Sequence, residues 1–247
     1  MLSKTHTKYI QSLQHKKFRG LHGAFIAEGP KLVPELLQSG KFTCKEILAL
    51  PGWIATHSDL VALYPGTTIT ELQDFELQKI SALTHAHEVL AIFETGPPAA
   101  NIQVKGKVTL VLDGIQDPGN LGTIIRTADW FGIDTLVCSN DTADCFNPKV
   151  VQSTMGSLGR VAVVYTDLPA WLSQQRNLPV IATAMEGEDI GQLKDLKEAI
   201  LIIGNEGKGI SGEVMALSTQ QVSIKRKGKA ESLNAAVATG IMLSNLR

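Results

Sequence analysis

The sequence has few of the features that mark disulfide-bonded, membrane-spanning or base-stacking proteins. Its three cysteines, Cys44, Cys138 and Cys145, are scattered without CxxC spacing, which favours buried, reduced thiols. No apolar run approaches the ~20 residues that a membrane-spanning helix needs, and the first residues lack a signal-peptide core. Aromatic residues make up 5% of the chain, which argues against a platform that stacks long single strands. We therefore expect a cytoplasmic protein without a membrane partner.

Histidine is absent beyond residue 87, which removes several kinds of catalytic site from the C-terminal segment. The six histidines lie at positions 6, 15, 22, 57, 85 and 87. A Ser-His-Asp triad in the C-terminal segment therefore has no support. His85 and His87 have no cysteine or carboxylate partner at zinc-ligand spacing, so we expect no metal site.

The chain does have enough apolar sequence for a core, with 44% hydrophobic and 19% charged residues. Residues 1–96 indicate a small α/β unit, and the stretch 97–104 indicates a proline-stiffened linker. Residues 105–247 alternate between strand-like and helix-like patterns of apolar residues, which is typical of a parallel sheet with helices on both faces. Strands are predicted at 25–27, 46–50, 89–93, 108–112, 136–138, 161–165, 180–184, 200–203 and 222–224, and helices at 30–39, 121–131, 148–158, 170–175 and 233–246.

Charge is balanced overall but unevenly distributed. The net charge is −1, yet residues 1–27 contain five cations and no acidic residue. A second basic cluster spans residues 225–229. Both clusters have the charge to meet phosphates, although either one alone is also typical of a solvated surface.

Three polar turns follow apolar runs in the C-terminal segment, and the first two contain glycine. They are 117–122, 204–209 and 231–235, and each precedes a helix-like stretch. Backbone N–H groups at such turns are free to hold a ligand. The second turn runs into a GxGxxG pattern at 207–212, which on its own suggests a dinucleotide site. Only residues 213–247 remain after it, too few for two mononucleotide-binding halves, so its position argues against a dinucleotide oxidoreductase.

The polar residues that remain at these turns form one candidate site. They are Asn120, Arg126, Glu206, Ser232 and Asn234. Glycines around them allow close approach of the backbone to a ligand. Ser232 has an equally good alternative role as the N-cap of the last helix.

Together these turns resemble the three motifs of the SpoU family of ribose 2'-O-methyltransferases in the SPOUT superfamily. The first motif is similar to residues 120–132, the second to residues 203–209 and the third to residues 231–235, in family order. The runs 16–19 and 25–29 are similar to the family's substrate-binding domain. The resemblance implies an α/β SPOUT domain at 105–247 with a trefoil knot, preceded by a small α/β RNA-binding domain, and a homodimer that methylates tRNA or rRNA.

The resemblance also implies roles for individual residues. Arg126 would carry the catalytic role, Asn120, Ser232 and Asn234 would orient the ribose and Arg126, and Glu206 would position the substrate or the arginine. Thr183, Ala184, Gly204, Ile224 and Leu233 would bind the donor, S-adenosylmethionine, and no metal is required. Lys16, Lys17 and Arg19 would bind RNA. Departures from the family pattern are Lys225 after Ile224, where proline is common, and Trp130, where a small residue is frequent.

Two interpretations of Arg126 stay open, because a guanidinium with a pKa above ~12 is a poor base. Either an RNA phosphate takes part in removing the hydroxyl proton, or Arg126 holds that phosphate and stabilises developing alkoxide charge. The alternative function is a catalytically silent RNA-binding or assembly factor of the same fold.

Overall fold

The computed structural model describes residues 2–97, 102–175, 177–193 and 196–246. It divides into two compact units. The first consists of Met1–Pro97 and Phe146–Arg160, and the second consists of Pro98–Cys145 and Val161–Arg247. The linker predicted at 97–104 falls partly on residues 98–101, which lie outside the described residues.

Strands and helices alternate along most of the chain. The strands are β1 (Ala24–Glu28), β2 (Cys44–Ala49), β3 (Thr68–Glu71), β4 (Val89–Glu94), β5 (Val108–Asp113), β6 (Thr135–Ser139), β7 (Ala162–Thr166), β8 (Val180–Asp189), β9 (Ala199–Gly204) and β10 (Gln220–Ser223). The helices are α1 (Lys4–Ser12), α2 (Lys16–His22), α3 (Leu32–Ser39), α4 (Pro51–Thr56), α5 (Ser58–Ala62), α6 (Asp74–Ile80), α7 (Pro118–Trp130), α8 (Pro148–Thr154), α9 (Leu168–Leu172), α10 (Gly212–Met215) and α11 (Ala235–Asn245). None of them, within the part of the chain described, is long and apolar enough to cross a membrane.

The first unit contains a mixed four-stranded sheet in the order β1-β4-β2-β3. β4 is antiparallel to β1 and β2, whereas β3 is parallel to β2. Every residue of β1 is buried. Ile10 and Leu13, at the end of α1, pack into one apolar cluster with Ile26, Leu48 and Ile92. This burial of apolar side chains is the main driving force for folding of the unit.

Several helix ends differ from the sequence prediction. α3 ends at Ser39 and Gly40 takes the left-handed conformation, as predicted, but α3 begins at Leu32 and not at Pro30. Pro30 lies in a turn that precedes the helix. The helix predicted at 148–158 stops at Thr154, because Met155 and Gly156 both have positive φ, and a short 3-10 turn follows.

The second unit contains a fully parallel six-stranded sheet in the order β10-β8-β9-β5-β6-β7. This confirms the predicted parallel sheet. β9 is buried from Ala199 to Ile203, which explains the continuous apolar run in the sequence. Leu168 and Leu172 of α9 and Val214 of α10 pack against alternate residues of the central strands.

The cysteines are free and buried, as the sequence predicts. Burial raises the pKa of Cys44 to about 12 and that of Cys138 well above its ordinary value. A thiol held protonated in this way is a poor nucleophile and a poor metal ligand.

Candidate active site

The sheet of the second unit reverses its direction of winding between β5 and β9. From β5 the chain moves outward to β6 and β7, then returns to form β8 and β9 on the other side of β5. In a parallel sheet the crevice outside the carboxyl ends of the strands at such a point is the usual ligand site. Asp113, which ends β5, pairs in register with Gly204, which ends β9. The first two polar turns of the sequence therefore meet at this edge.

A chain of hydrogen bonds connects the three polar turns. Asn120 Nδ2 donates to Glu206 Oε1 at 2.6 Å, and Asn234 Nδ2 donates to Asn120 Oδ1 at 2.8 Å. Asn120 lies in the first turn of α7, Glu206 after β9, and Asn234 before α11. Residues separated by 86 and 114 positions in the chain thus form one polar constellation.

Helix caps fix the two asparagines in place. Asp117 caps α7, accepting a hydrogen bond from the Asn120 N–H at 2.8 Å, and Pro118 occupies the first turn. Asn234 caps α11, its Oδ1 accepting from the N–H groups of Ala236 and Val237 at 3.0 and 3.3 Å. The Oδ1 of Asn234 is thus used by the helix, and its Nδ2 is left to reach Asn120.

The cap of the last helix corrects two sequence predictions. α11 begins at Ala235 and not at Leu233, and Asn234 rather than Ser232 is its N-cap. The alternative role of Ser232 as a cap is therefore wrong. Ser232 lies exposed in the irregular segment before the helix.

The turn after β9 is shaped by Asn205. Its Nδ2 donates to the Gly114 carbonyl at 2.6 Å, and its Oδ1 accepts from the N–H groups of Gly207 and Lys208 at 2.9 and 3.0 Å. Its backbone also exchanges two hydrogen bonds with Gly209. This full set of bonds holds the turn closed, and it leaves the neighbouring Glu206 side chain to face Asn120.

Gly204 is required by the close approach of the returning backbone. A Cβ on Gly204 would come within 2.5 Å of the Ile210 nitrogen, and closer still to the carbonyl carbon of Gly209. The nearby Asp113 carboxylate, which is buried, accepts a hydrogen bond from the Ser211 N–H at 2.7 Å. The end of β5 therefore holds the residues just after the turn against the sheet.

Arg126 lies on the same helix as Asn120 but stands apart from this network. Its side chain is exposed. It lies six residues beyond Asn120 on α7, which corresponds to a rise of about 9 Å along the helix axis. Within the described residues it has no hydrogen-bond or ion-pair partner, so its guanidinium is available to a ligand. Trp130, one turn further on, is 84% exposed.

Family models match both halves of the chain. The SpoU rRNA methylase family matches residues 107–244, and the MRM3-like substrate-binding domain matches residues 4–91. The chain belongs to the SpoU rRNA methylase family. The match contains all five residues predicted to be catalytic, so the resemblance inferred from the three motifs is confirmed.

Three relatives of this SpoU protein match it over nearly its whole length. The 23S rRNA (guanosine(2553)-2'-O)-methyltransferase RlmP of Bacillus subtilis is 33% identical over 96% of this chain and 94% of its own. The AdoMet-bound rRNA methyltransferase from Sinorhizobium meliloti has a TM-score of 0.89 at 32% identity, covering 100% of this chain and 96% of its own. A TrmH-family protein from Porphyromonas gingivalis has a TM-score of 0.89 at 36% identity, covering 100% and 98%.

The segments expected to hold the SpoU methyl donor lie at the same edge of the sheet. Pairing between β10 and β8 jumps from Gln221–Ala182 to Val222–Glu188, so residues 183–187 of β8 bulge out of the ladder. Thr183 and Ala184 lie half-buried in this bulge. Ile224 directly follows β10 and is also half-buried, whereas Leu233 is 45% exposed.

The predicted RNA-binding residues of the first unit have different surroundings. Lys16 and Lys17 are exposed at the start of α2. Arg19 is 3% exposed, and its guanidinium donates to the carbonyls of Leu13 and Gln14 at 3.0 and 2.8 Å. Direct contact of Arg19 with RNA is therefore corrected to a structural role, in which it holds the loop before α2.

Sequence reasoning did not assign roles to Asp113 and Asn205, which hold the turn after β9. Both lie at the ends of buried strands, where a short polar side chain commonly bonds the backbone of the next turn. Their position at the end of an apolar run is the feature of the sequence that could have identified them. Among the described residues, no group of three or more His, Cys, Asp or Glu side chains is placed to hold a metal ion.

Proposed function

We propose that this protein transfers a methyl group from S-adenosylmethionine to a ribose 2'-hydroxyl of RNA. The hydrogen-bonded chain from Glu206 through Asn120 to Asn234 carries the proposal, because it joins residues of all three SpoU motifs at the sheet edge. The name of the B. subtilis relative supports 23S rRNA, rather than tRNA, as the substrate.

The segments around these three hydrogen-bonded side chains are proposed to bind the donor. Bound there, S-adenosylmethionine would present a methyl group on a positively charged sulfur to the ribose oxygen. The bulge at Thr183 and Ala184, the turn at Gly204, and the positions of Ile224 and Leu233 would hold it through backbone and apolar contacts. Gly204 is held by close packing against the backbone of Gly209 and Ile210, so it would contribute its own backbone groups to donor binding.

Arg126 is proposed to hold the RNA phosphate next to the target ribose and to stabilise charge that develops on the 2'-oxygen. Its exposure and its lack of a protein partner within the described residues support this role. A guanidinium is a good hydrogen-bond donor and a poor base, so Arg126 is proposed to act as a donor. Whether the phosphate accepts the hydroxyl proton stays a second interpretation. Asn120, Ser232 and Asn234 would orient the ribose, and Glu206 would position Asn120.

The protein is proposed to act as a cytoplasmic homodimer whose C-terminal segment forms a trefoil knot, with an RNA-binding domain at 1–96 and the methyltransferase domain at 105–247. Exposed apolar side chains on α7 and α11 support the dimer, since Trp130 is 84% and Val237 52% exposed. Sedimentation should give a dimer for the wild type and a monomer for Trp130→Glu. Monomers for both would contradict the dimer.

The test of the function is methyl transfer to RNA from cells that lack this gene, with labelled S-adenosylmethionine. We expect label in alkali-resistant dinucleotides of 23S rRNA, and a loss of about 10²–10³-fold for Arg126→Ala. Lys105→Ala, an exposed cation that precedes β5, is the matched control and should keep full activity.

The same assay tests the alternative, a catalytically silent RNA-binding factor. Wild-type protein that binds 23S rRNA but neither transfers label nor binds the donor by calorimetry would favour that alternative. Label that appears in base rather than ribose would contradict 2'-O-methylation.

A further inference from the structure

Four cations lie in the irregular segment between β10 and α11. Lys225, Arg226, Lys227 and Lys229 are all exposed, and Glu231 is the acidic residue of the segment. Four positive charges and one negative charge give the segment a net charge of +3, in a chain whose total is −1. Within the described residues, no carboxylate lies within the 4.0 Å of an ion pair from any of the four. The charge is therefore available to an external anion.

Both ends of this segment are fixed at the active site. β10 pairs with β8 up to Ser223, and Asn234 at the other end donates to Asn120. Arg226 also donates to the Ala230 carbonyl at 3.3 Å, which folds the segment back on itself. Lys229 is five residues from Asn234, so their Cα atoms are at most about 18 Å apart. A span of this size covers a few nucleotides of an RNA strand.

The sign of the charge discriminates between the two ligands of the reaction. The methyl donor carries a sulfonium and an ammonium group against a single carboxylate, so its net charge is positive and a cluster of lysines disfavours it by like-charge repulsion. RNA carries one negative charge per nucleotide and gains affinity when lysine or arginine neutralises its phosphates. Contacts of this kind fix the position of the strand but do not select its sequence.

We propose that the side chains of Lys225–Lys229 bind the RNA backbone within a few nucleotides of the target ribose, and do not contribute to donor affinity. This proposal rests on the proposed function for the identity of the polyanion. It assigns the segment a part in positioning RNA at the reaction centre, distinct from the lysines of α2 in the first unit.

The test compares two pairs of lysines that change the net charge equally. Lys227→Gln with Lys229→Gln removes two charges from the segment. Lys105→Gln with Lys197→Gln removes two exposed charges at the opposite edge of the sheet, because these lysines precede the starts of β5 and β9. Binding of 23S rRNA, purified from cells that lack this gene, is measured over a series of salt concentrations. Donor affinity is measured by calorimetry, and KM and kcat by methyl transfer.

For the segment variant we expect the slope of log K against log salt to become shallower by about 1.4–1.8, since each phosphate contact contributes roughly 0.7–0.9. KM for RNA should rise about tenfold, with kcat and donor affinity unchanged. The control variant should match the wild type.

Equal slopes for the two variants would overturn the proposal, as would a loss of donor affinity in the segment variant alone. Because RNA binding needs no methyl transfer, the slopes decide this proposal even if the wild type proves inactive. Inactivity of the wild type would count against the proposed function instead.

Discussion

Two turns of this molecule carry the same dipeptide, Glu-Gly, at the end of a buried strand, and they serve different purposes. Glu28-Gly29 ends β1 in the first unit, and Glu206-Gly207 follows β9 in the second. In the sequence, both dipeptides come at or just after the end of an apolar run. In the structure, the two glutamates differ in their hydrogen-bond partners and in the exposed fraction of their side chains.

Glu28 is bound entirely by its own unit. It is 5% exposed, Ser81 Oγ donates to its Oε2 at 2.5 Å, and the Ala82 N–H donates to its Oε1 at 2.8 Å. Burial raises the pKa of this carboxyl, and the hydrogen bonds from Ser81 and Ala82 oppose that shift. A buried acid satisfied in this way fixes the path of the chain between α6 and β4.

Glu206 is half-buried and bonds to a side chain that itself belongs to a site. Its partner Asn120 is held in turn by Asn234, and all three lie at the edge where the sheet changes direction. The comparison teaches that a half-buried carboxylate bonded to polar side chains from other turns at the sheet edge is a candidate for function. A buried carboxylate whose bonds go to one neighbouring loop of its own unit is structural.

The largest expected difference between the two turns is in activity. Glu206→Ala should lower kcat for methyl transfer by about 10²–10³-fold, because Asn120 loses the acceptor that orients it, while the free energy of unfolding changes by less than about 1 kcal/mol. Glu28→Ala should keep kcat and lower the free energy of unfolding by about 1–3 kcal/mol, since the Ser81 and Ala82 donors lose their acceptor. Label transfer at saturating RNA and urea denaturation measure both. Equal losses of kcat in Glu206→Ala and Glu28→Ala would contradict a functional role for the first glutamate and a structural role for the second.

The glycines of the two turns, Gly29 and Gly207, are expected to differ in how much an alanine at each position lowers the free energy of unfolding. Gly29 has φ of +115° and a Cβ there would lie 3.5 Å from the His87 ring, whereas a Cβ on Gly207 would meet only Asn205 Oδ1 at 3.7 Å. We expect Gly29→Ala to lower the free energy of unfolding by about 1–3 kcal/mol, because an L side chain rarely adopts that backbone conformation. Gly207→Ala should change it by less than about 0.5 kcal/mol. Urea denaturation of the two single variants measures both free energies of unfolding. Similar losses of stability would contradict the argument that Gly29 is required by its backbone conformation.

Much of the second unit follows from the sequence because its strands are buried on both faces and its turns carry short polar residues. The apolar runs at β5 and β9 locate the central strands, and the motif residues Asn120, Glu206 and Asn234 are brought together as the family resemblance implies. Local patterns succeed for β5, β9 and the cap of α7, because their own residues and immediate neighbours determine them.

The rest depends on contacts between distant residues. The length of β8 and the bulge at Thr183 are set by pairing with β10, about forty residues later in the chain. Arg19 has the sequence context of an exposed basic run, yet the carbonyls of Leu13 and Gln14 draw its guanidinium inside. Between Ser232 and Asn234, both common caps, the choice falls on the residue whose second polar atom reaches Asn120.

The smallest effect expected from the comparison is a pH dependence that belongs to the Glu28 turn. Because the folded pKa of Glu28 is raised, its favourable contribution to stability is present below the unfolded value of about 4.3 and is lost as pH rises through the folded pKa. The charge of His87, when protonated, opposes the shift and so reduces its size. The difference in free energy of unfolding between wild type and Glu28→Gln should therefore change in this pH window, with the wild type losing stability relative to the variant as pH rises. Urea denaturation from pH 4 to 7 measures it, and a difference that is flat across the window would show that the buried carboxyl of Glu28 titrates as it does in the unfolded chain.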